Sequence, residues 1–343
     1  MLRPHYIVTI NEKVLPFLTR GFVRTSRNSF TDTAQIELPN RISTRGKRIS
    51  DLIPKGGNIK IEVGYYPNIR TIFEGYISDV IPEKTCLIKC EDEAYKLKRQ
   101  SIGKDIVLKN TSTAELLNTC LDELPNNLQV AFRTGSNNIG DWKVSKTSTL
   151  IDVVAELQDK FRIYCYFRNK KLIVGADADD FNFQDITAKF ERGNVPIGQN
   201  SFNFKEASAD NIVVKATSIS RSGEITEAFA YYDANELKTA RVAPTSGTIS
   251  EFNIGGQSEF SYNDLEALAV RRLEALSFTG VDGSITIYAP IQGRFVTHGD
   301  NLDVISLDIP EKDGLYKVVE NEISFGEGVG IKQKVGLGIK VND

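Results

Sequence analysis

The sequence predicts a mainly β protein in which two similar small β-barrels flank an α/β domain. Three observations lead to this prediction. Residues 6–99 alternate apolar and polar side chains with a period of two, as half-buried strands do. Residues 100–188 adopt helical spacing, and from residue 189 the period of two returns with one helix. The predicted domains are therefore 1–99 (first barrel), 100–188 (α/β insert) and 189–343 (second barrel).

The first region contains five or six short strands. They are Tyr6–Ile10, Ala34–Leu38, Ile59–Val63, Ile72–Val80 and Cys86–Cys90, separated by Gly, Pro, Asn and Asp residues that break strands. Strands this short and this closely spaced indicate a small sandwich or barrel. A long polar loop between two of them, RISTRGKRISDLIPKGG, carries four cations: Arg41, Arg45, Lys47 and Arg48.

The central region begins with a helix signal. Ser112 and Glu115 have the spacing of a capping box in front of an apolar stripe. A second helix follows Thr149, with Leu150, Val153, Val154, Leu157 and Phe161 predicted on its inner face. The next stretch, YCYFRNKKLIVG (Tyr164–Gly175), reads either as a base-stacking platform or as a hairpin that turns at Asn169.

The third region returns to strands and contains one helix, Tyr262–Leu276, with Ser261 and Asp264 as its predicted cap. Its last strands repeat a pattern from the first region. Gly57–Val63, Ile72–Val80 and Leu87–Asp92 resemble Asp300–Ser306, Leu315–Ile323 and Ile331–Leu337 in order and spacing. The repeat indicates that the two β domains have the same architecture.

Composition excludes several functions. The net charge is −3 and the pI about 5.7, so no global field attracts nucleic acid or anionic lipid. This favours the hairpin reading of residues 164–175. No apolar run approaches the ~20 residues of a membrane-spanning helix, and residues 1–18 lack the features of a signal peptide. The four cysteines are expected to be reduced and mostly buried.

No catalytic or cofactor motif is present in the sequence. Phosphate-binding loops, nucleophile elbows and zinc-protease motifs are missing, and only His5 and His298 are available for a histidine site. We therefore expect no enzymatic turnover, no metal and no cofactor. A protein of this profile is expected to be an assembly component.

Three segments in this order resemble one known family. They are IFEGYISDV with CLIKCEDEAYKL, then WKVSKTSTLIDVVAELQDKFRIYCYFRNKKLIVG, then LEALAVRRLEAL with GRFVTHGDNLDVISLDIPEKDGLYKVVENEISFG. Together they are similar to the late control protein D family. These are baseplate hub proteins of contractile-tailed phages, including the Mu-like 43-kilodalton tail protein, and they are related to the hub part of type VI secretion spike proteins.

The resemblance implies a structural role in the tail baseplate. It implies a homotrimer whose two tail-tube-like barrels per subunit form a pseudo-sixfold ring, joining the tail tube to the central spike. The implied partners are the tube protein, the spike protein and other baseplate or tape-measure proteins, with no specific nucleic acid and no membrane insertion. Assembly is expected in the host bacterial cytoplasm. No spike or lysozyme domain is fused before Asp343, so a separate spike polypeptide is expected.

Four cations form the candidate partner surface: Arg41, Arg45, Lys47 and Arg48. Two other functions stay open at this point. A tail-associated glycan or peptidoglycan hydrolase needs a carboxylate pair in a cleft. A host-binding tail protein is favoured if exposed aromatic residues cluster in the C-terminal third.

Overall fold

The structure is a computed structural model that describes most of the chain. The described residues are 3–15, 17–40, 46–124, 128–132, 138–161, 163–168, 170–175, 185–189, 193, 195, 200–206, 211–220, 222–234, 236–253, 260–291, 293–328 and 330–341. They fall into two compact units. The first contains Met1–Lys96, Phe181–Asn203 and Val281–Asp343, and the second Leu97–Asp180 and Phe204–Gly280.

The strands of the N-terminal region are β1 (Pro4–Ile10), β2 (Lys13–Leu15), β3 (Arg20–Ser26), β4 (Thr33–Pro39), β5 (Asn58–Tyr65), β6 (Asn68–Pro82) and β7 (Thr85–Glu91). Those of the central region are β8 (Ile106–Ser112), β9 (Gln129–Phe132), β10 (Asn138–Val144), β11 (Cys165–Arg168) and β12 (Lys171–Val174). The remaining strands are β13 (Asp185–Lys189), β14 (Ser201–Lys205), β15 (Ile212–Ile219), β16 (Ile225–Asp233), β17 (Glu236–Ala240), β18 (Thr248–Asn253), β19 (Gly280–Tyr288), β20 (Asn301–Ile305), β21 (Gly314–Gly326) and β22 (Gly330–Lys340). The α-helices are α1 (Ala94–Leu97), α2 (Thr113–Asp122), α3 (Leu150–Phe161) and α4 (Tyr262–Leu276), and short 3-10 helices lie at Ile49–Leu52 and Pro310–Lys312.

The first unit is built on one open sheet of 13 strands. Its main path is β14-β19-β22-β21-β3-β4-β7-β6-β5-β1-β2, and β20 and β13 branch from β21. The mainly β fold predicted from the sequence is confirmed. The described strands do not close into barrels, which corrects the expectation of two separate barrels. The physical reason is that β3 pairs with β21, so strands from both ends of the chain share one hydrogen-bonded sheet.

Twelve of the 13 strands form two modules with the same strand order, and the remaining strand, β2, pairs with β1. The N-terminal module reads β3-β4-β7-β6-β5-β1, and the C-terminal module reads β14-β19-β22-β21-β20-β13. Each strand of one module therefore has a counterpart in the other. One difference is that β1 is antiparallel to β5, whereas β13 is parallel to β20. The repeat predicted from the sequence, β5-β6-β7 against β20-β21-β22, is confirmed.

Backbone details repeat as well. Gly56 N–H donates to the Ile77 carbonyl (2.8 Å) and Ile77 N–H to the Gly57 carbonyl (2.9 Å). In the C-terminal module Gly299 N–H donates to the Val318 carbonyl (2.7 Å) and Val318 N–H to the Asp300 carbonyl (2.9 Å). A bulge directly follows Ile77 and Val318, which re-aims the second half of each long strand.

Each module buries its own apolar core on one face of the sheet. The N-terminal core includes Ile36, Ile61, Ile77 and Ile88, and the C-terminal core includes Leu302, Val304, Tyr316, Val318 and Val335. Burial of each such side chain stabilises the fold by about 1.5–3 kcal/mol. The far end of β21 contributes Ile323 and Phe325 to the N-terminal core. Strand β21 therefore belongs to both modules.

Among the described residues, the second unit combines three small sheets with the α-helices α2, α3 and α4. The sheets are β8–β10, β11-β12-β9 and β17-β16-β15-β18, and α4 packs against β15 and β16. Residues 204–280, which are predicted from the sequence to belong to the domain 189–343, lie in this unit. A strand pattern does not reveal which sheet a strand joins, so the three-domain division stays a prediction.

The predicted helices are confirmed. All five residues predicted on the inner face of the second helix are buried in α3. Ser112 caps α2 by accepting from Glu115 N–H, while the Glu115 carboxylate accepts from the Thr111 hydroxyl instead of closing the box. Ser261 and Asp264 form the predicted reciprocal cap of α4.

The stretch YCYFRNKKLIVG forms the predicted hairpin. Strands β11 and β12 pair from Cys165–Val174 to Arg168–Lys171, and Lys170 takes the positive φ of 64°. Asn169 lies outside the described residues. Because Tyr166 and Phe167 are both buried, these aromatic side chains are part of a core and do not offer faces for stacking bases.

Two carboxylates meet where the β3–β4 connection reaches β7. Asp92 Oδ2 accepts from Asp32 N–H at 3.1 Å, and Asp32 Oδ1 accepts from Ser26 N–H at 3.3 Å. Burial and the nearby Asp92 carboxylate raise the pKa of Asp32 well above its ordinary value. The fold therefore favours the protonated form of Asp32.

Replacing Asp32 with Asn is expected to stabilise the protein at neutral and alkaline pH. Because the pKa of Asp32 is raised in the folded state, protonation of Asp32 stabilises the folded protein. This contribution is complete below the unfolded-state pKa of about 3.9 and is lost as the pH rises through the folded-state pKa. Asn keeps an acceptor for Ser26 and cannot ionise. Thermal unfolding from pH 4 to 8 should show a Tm advantage for D32N that disappears toward pH 4. The exposed control D308N should show no such trend, and an equal advantage at every pH would contradict the assignment.

Candidate assembly surfaces

The two modules meet at a seam formed by β3 and β21. Seven residues of each strand pair, from Glu320–Ser26 to Gly326–Arg20. On the exposed face Arg24 Nη2 lies 2.6 Å from Glu322 Oε2 across the seam. An exposed pair of this kind contributes about 0.2–1 kcal/mol, so the backbone pairing and the core beneath it hold the seam together.

The buried face of the seam is polar where the cores meet. Gln333, which is fully buried, donates to Asn321 Oδ1 at 2.6 Å and accepts from Val296 N–H at 3.2 Å. His298 Nδ1 lies 3.1 Å from Thr25 Oγ1. Because a buried amide loses 1–3 kcal/mol if its partner is removed, this network penalises a shifted register of β21. His298 is therefore a structural residue.

A glycine lets β3 approach β21 closely. A Cβ atom at Gly21 would lie 2.6 Å from the ring of Phe325 and 3.1 Å from the Gln35 carbonyl oxygen. The Phe325 ring also packs against Tyr6, with ring centroids 5.8 Å apart. The Tyr6 hydroxyl donates to the Gly326 carbonyl at 3.1 Å. The N-terminal strand is thereby attached to the end of β21.

The two strands of the seam, β3 and β21, each have a counterpart in the other module, and these counterparts do not pair with each other within the chain. The counterpart of β3 is β14, which among the described strands pairs with β19 alone. Residues 320–326 of β21, which pair with β3, correspond to the C-terminal end of β6. There residues 78–82 pair with β7 on one side, and no described strand pairs with the other side. Lys55, 2.5 Å from Asp79, lowers the pKa of that carboxyl beside this second edge.

The predicted cationic surface is partly described. Arg41 and Arg45 lie outside the described residues. Lys47 and Arg48 are exposed, and Arg48 N–H donates to Asp51 Oδ2 at 3.1 Å, which fixes the start of the 3-10 helix Ile49–Leu52. Asn40 supports the loop by accepting from Ser50 N–H and donating to the Glu83 carbonyl. The role of the four cations stays a prediction.

The side chains that could bind a metal or act as thiols are arranged as follows in the described part of the chain. Its His, Cys, Asp and Glu side chains form no group of three or more that could hold a metal ion. All four cysteines are free thiols and buried, as predicted, and burial raises the pKa of Cys120 to about 11. Within the described ranges, every helix is too short or too polar to span a bilayer.

Solved structures show the same fold at low sequence identity. A tail protein from Neisseria meningitidis MC58 matches with a TM-score of 0.69 and 12% identity, over 97% of this chain and 96% of that one. The 43 kDa tail protein of prophage MuSo2 from Shewanella oneidensis matches with a TM-score of 0.65 and 12% identity, over 98% and 97%.

This chain has the fold of phage tail proteins. An E. coli type VI secretion component described as similar to T4 tail proteins also matches, with a TM-score of 0.56 and 9% identity, over 98% of this chain and 77% of that one. The resemblance read from the sequence is thus confirmed at the level of the fold. No protein-family model and no curated protein matches the sequence.

Gly21→Val is expected to destabilise the first unit by about 1–3 kcal/mol, because the added side chain collides with the Phe325 ring. Phe325→Leu removes the end of that ring, so the double variant should recover part of the loss. Urea unfolding of the four proteins in the cycle measures the coupling. Strictly additive losses would show that the two positions do not interact.

Proposed function

We propose that this protein is a structural baseplate hub of a contractile phage tail or tail-like particle, in which three copies form a pseudo-sixfold ring between the tail tube and the central spike. The observation that carries the proposal is the duplicated module. One chain supplies two six-stranded modules of identical strand order, joined by one seam, within a fold shared with phage tail proteins. The role requires no catalysis, metal or cofactor.

The seam within the chain suggests how copies join. If module pairs repeat around a ring, β14 of one copy adds to the open edge of β6 in the next copy, as β3 adds to β21 within the chain. Exposed strand edges invite such pairing, and closing the ring pairs β14 of each copy with the β6 edge of its neighbour. Three copies then give six modules and six equivalent seams, and this number follows from the resemblance to trimeric hubs.

The ring symmetry accounts for the proposed partners. Six like modules match a sixfold tail tube, while the threefold repeat of the whole chain matches a trimeric spike. Within this proposal the two duplicated modules correspond to the two tube-like domains, and the second unit is an insertion carried by them. Baseplate or tape-measure proteins complete the proposed partner set, and the proposed location is the virion tail baseplate.

The wild-type protein is expected to form a trimer in solution, and a lysine on the open edge is expected to weaken it. Phe204 lies in β14 and is 47% exposed. Phe204→Lys places a charge where the neighbouring β6 edge must approach. Light scattering from 1 to 50 µM should show wild-type trimer and F204K monomer. Phe17→Lys, at an exposed position outside both edges, is the matched control. A stable wild-type monomer at tens of micromolar contradicts a ring that forms without partners.

Reversing the cationic loop is expected to weaken docking without affecting folding. In the triple variant R45E/K47E/R48E, trimer formation should persist, while binding to an acidic tube or baseplate partner falls, and falls more at low than at high salt. Single reversals should be nearly silent because each exposed pair contributes about 0.2–1 kcal/mol. The control K109E/K143E/K146E makes the same change in charge at exposed lysines of the second unit. If both triple variants bind the partner equally well, the loop is a solvated surface that makes no specific contact with the partner.

A further inference from the structure

The connections β5–β6 and β20–β21 lie at the same end of the large sheet. Along the path β21-β3-β4-β7-β6 every neighbouring pair is antiparallel, so β21 and β6 run in the same direction. Their first residues, Gly314 and Asn68, therefore lie toward one end. The connections that lead into these strands share that end, which we call the tip end.

Both connections expose large apolar side chains at the tip end. In the N-terminal module Tyr66 is 72% exposed, and in the C-terminal module Leu307 is 70% and Ile309 41% exposed. The two hairpin turns that leave β6 and β21 at the opposite end are polar where the structure describes them, with Glu83 and Lys84 after β6 and Glu327 after β21. Large apolar side chains exposed in equivalent places of two modules indicate a protein interface.

Hydrogen bonds brace the connection that carries the exposed apolar side chains of the C-terminal module. Ser306 N–H donates to Asp313 Oδ1 at 2.6 Å, and Ile309 N–H donates to Ser306 Oγ at 3.1 Å. The Tyr316 hydroxyl donates to the Lys312 carbonyl at 3.2 Å, and Lys340 Nζ donates to the Asp313 carbonyl at 2.9 Å. A braced connection loses little conformational entropy when it binds, which favours a contact surface.

The tip of the N-terminal module is also constrained. Strands β5 and β6 pair as far as Tyr65–Asn68, so Tyr66 and Pro67 form a tight turn. A Cβ atom at Gly64 would lie 2.1 Å from the Asn68 carbonyl oxygen, so only glycine fits beside the turn. The Tyr66 ring packs beside His5, with ring centroids 6.3 Å apart. Tyrosine presented in this way is a frequent binding hot spot.

We propose that the tip end is the surface on which this protein docks to the tail tube, through Tyr66 of one module and Leu307 with Ile309 of the other. The inference rests on the proposed function and assigns a surface to one of its partners. Because both modules carry exposed apolar residues at the tip end, the partner must provide two equivalent binding sites for each copy of this chain. A ring with twice as many subunits meets this requirement, whereas a threefold spike would engage one tip of each pair.

The test uses the full-length protein with the tube and spike proteins of the same particle, each immobilised separately. The double variant Tyr66→Asp/Leu307→Asp should remain trimeric and bind the spike as the wild type does. Its affinity for the tube should fall by roughly tenfold or more, since hot-spot side chains dominate such contacts. Each single variant should give a partial loss. Val107→Asp/Val242→Asp adds the same charges at exposed valines of the second unit and should bind both partners normally.

Different outcomes separate this inference from the proposed function. A wild-type protein that binds neither partner contradicts the hub function and this inference with it. Wild-type binding to the tube that the double variant retains overturns the inference alone. Loss of spike binding with retained tube binding also overturns it, because the tip end would then face the spike.

Discussion

The antiparallel pairing of β3 with β21 is the interaction on which the rest of the first unit depends. It joins residues 20–26 to residues 320–326 and makes one sheet from strands that lie at opposite ends of the chain. Without it each module would expose a strand edge and the ends of its core. Because Ile323 and Phe325 of β21 complete the N-terminal core, the seam is held by buried apolar area as well as by hydrogen bonds.

The close approach and the register of β3 and β21 depend on a few specific residues. Gly21 gives the Phe325 ring room, and the buried Asn321–Gln333 pair fixes the register between the two cores. The bulges after Ile77 and Val318 redirect the two long strands at equivalent points. A register slip by one residue would bury the charged face of β21 and separate the amides from their partners.

The same geometry connects fold to proposed assembly. A sheet that already joins two modules inside one chain needs only the corresponding edges, β14 and the end of β6, to join further copies. The insertion of the second unit between β7 and β13 and between β14 and β19 leaves the module topology unchanged. In this proposal the function comes from the repetition of a surface and requires no reactive group.

The sequence by itself determined the local structure and the repeat. Helices α3 and α4, the buried cysteines, the β11–β12 hairpin and the equivalence of β5-β6-β7 with β20-β21-β22 all follow from periodicity, caps and spacing. The four cations of the loop were selected as a candidate surface from local composition alone. Local composition did not identify the seam between β3 and β21. Only the tertiary structure decided that β3 pairs with β21, that residues 204–280 join the second unit, and that one open sheet replaces two barrels. Period-two patterning places a side chain on a face of a strand, but the choice of a distant strand partner depends on packing between segments far apart in the chain.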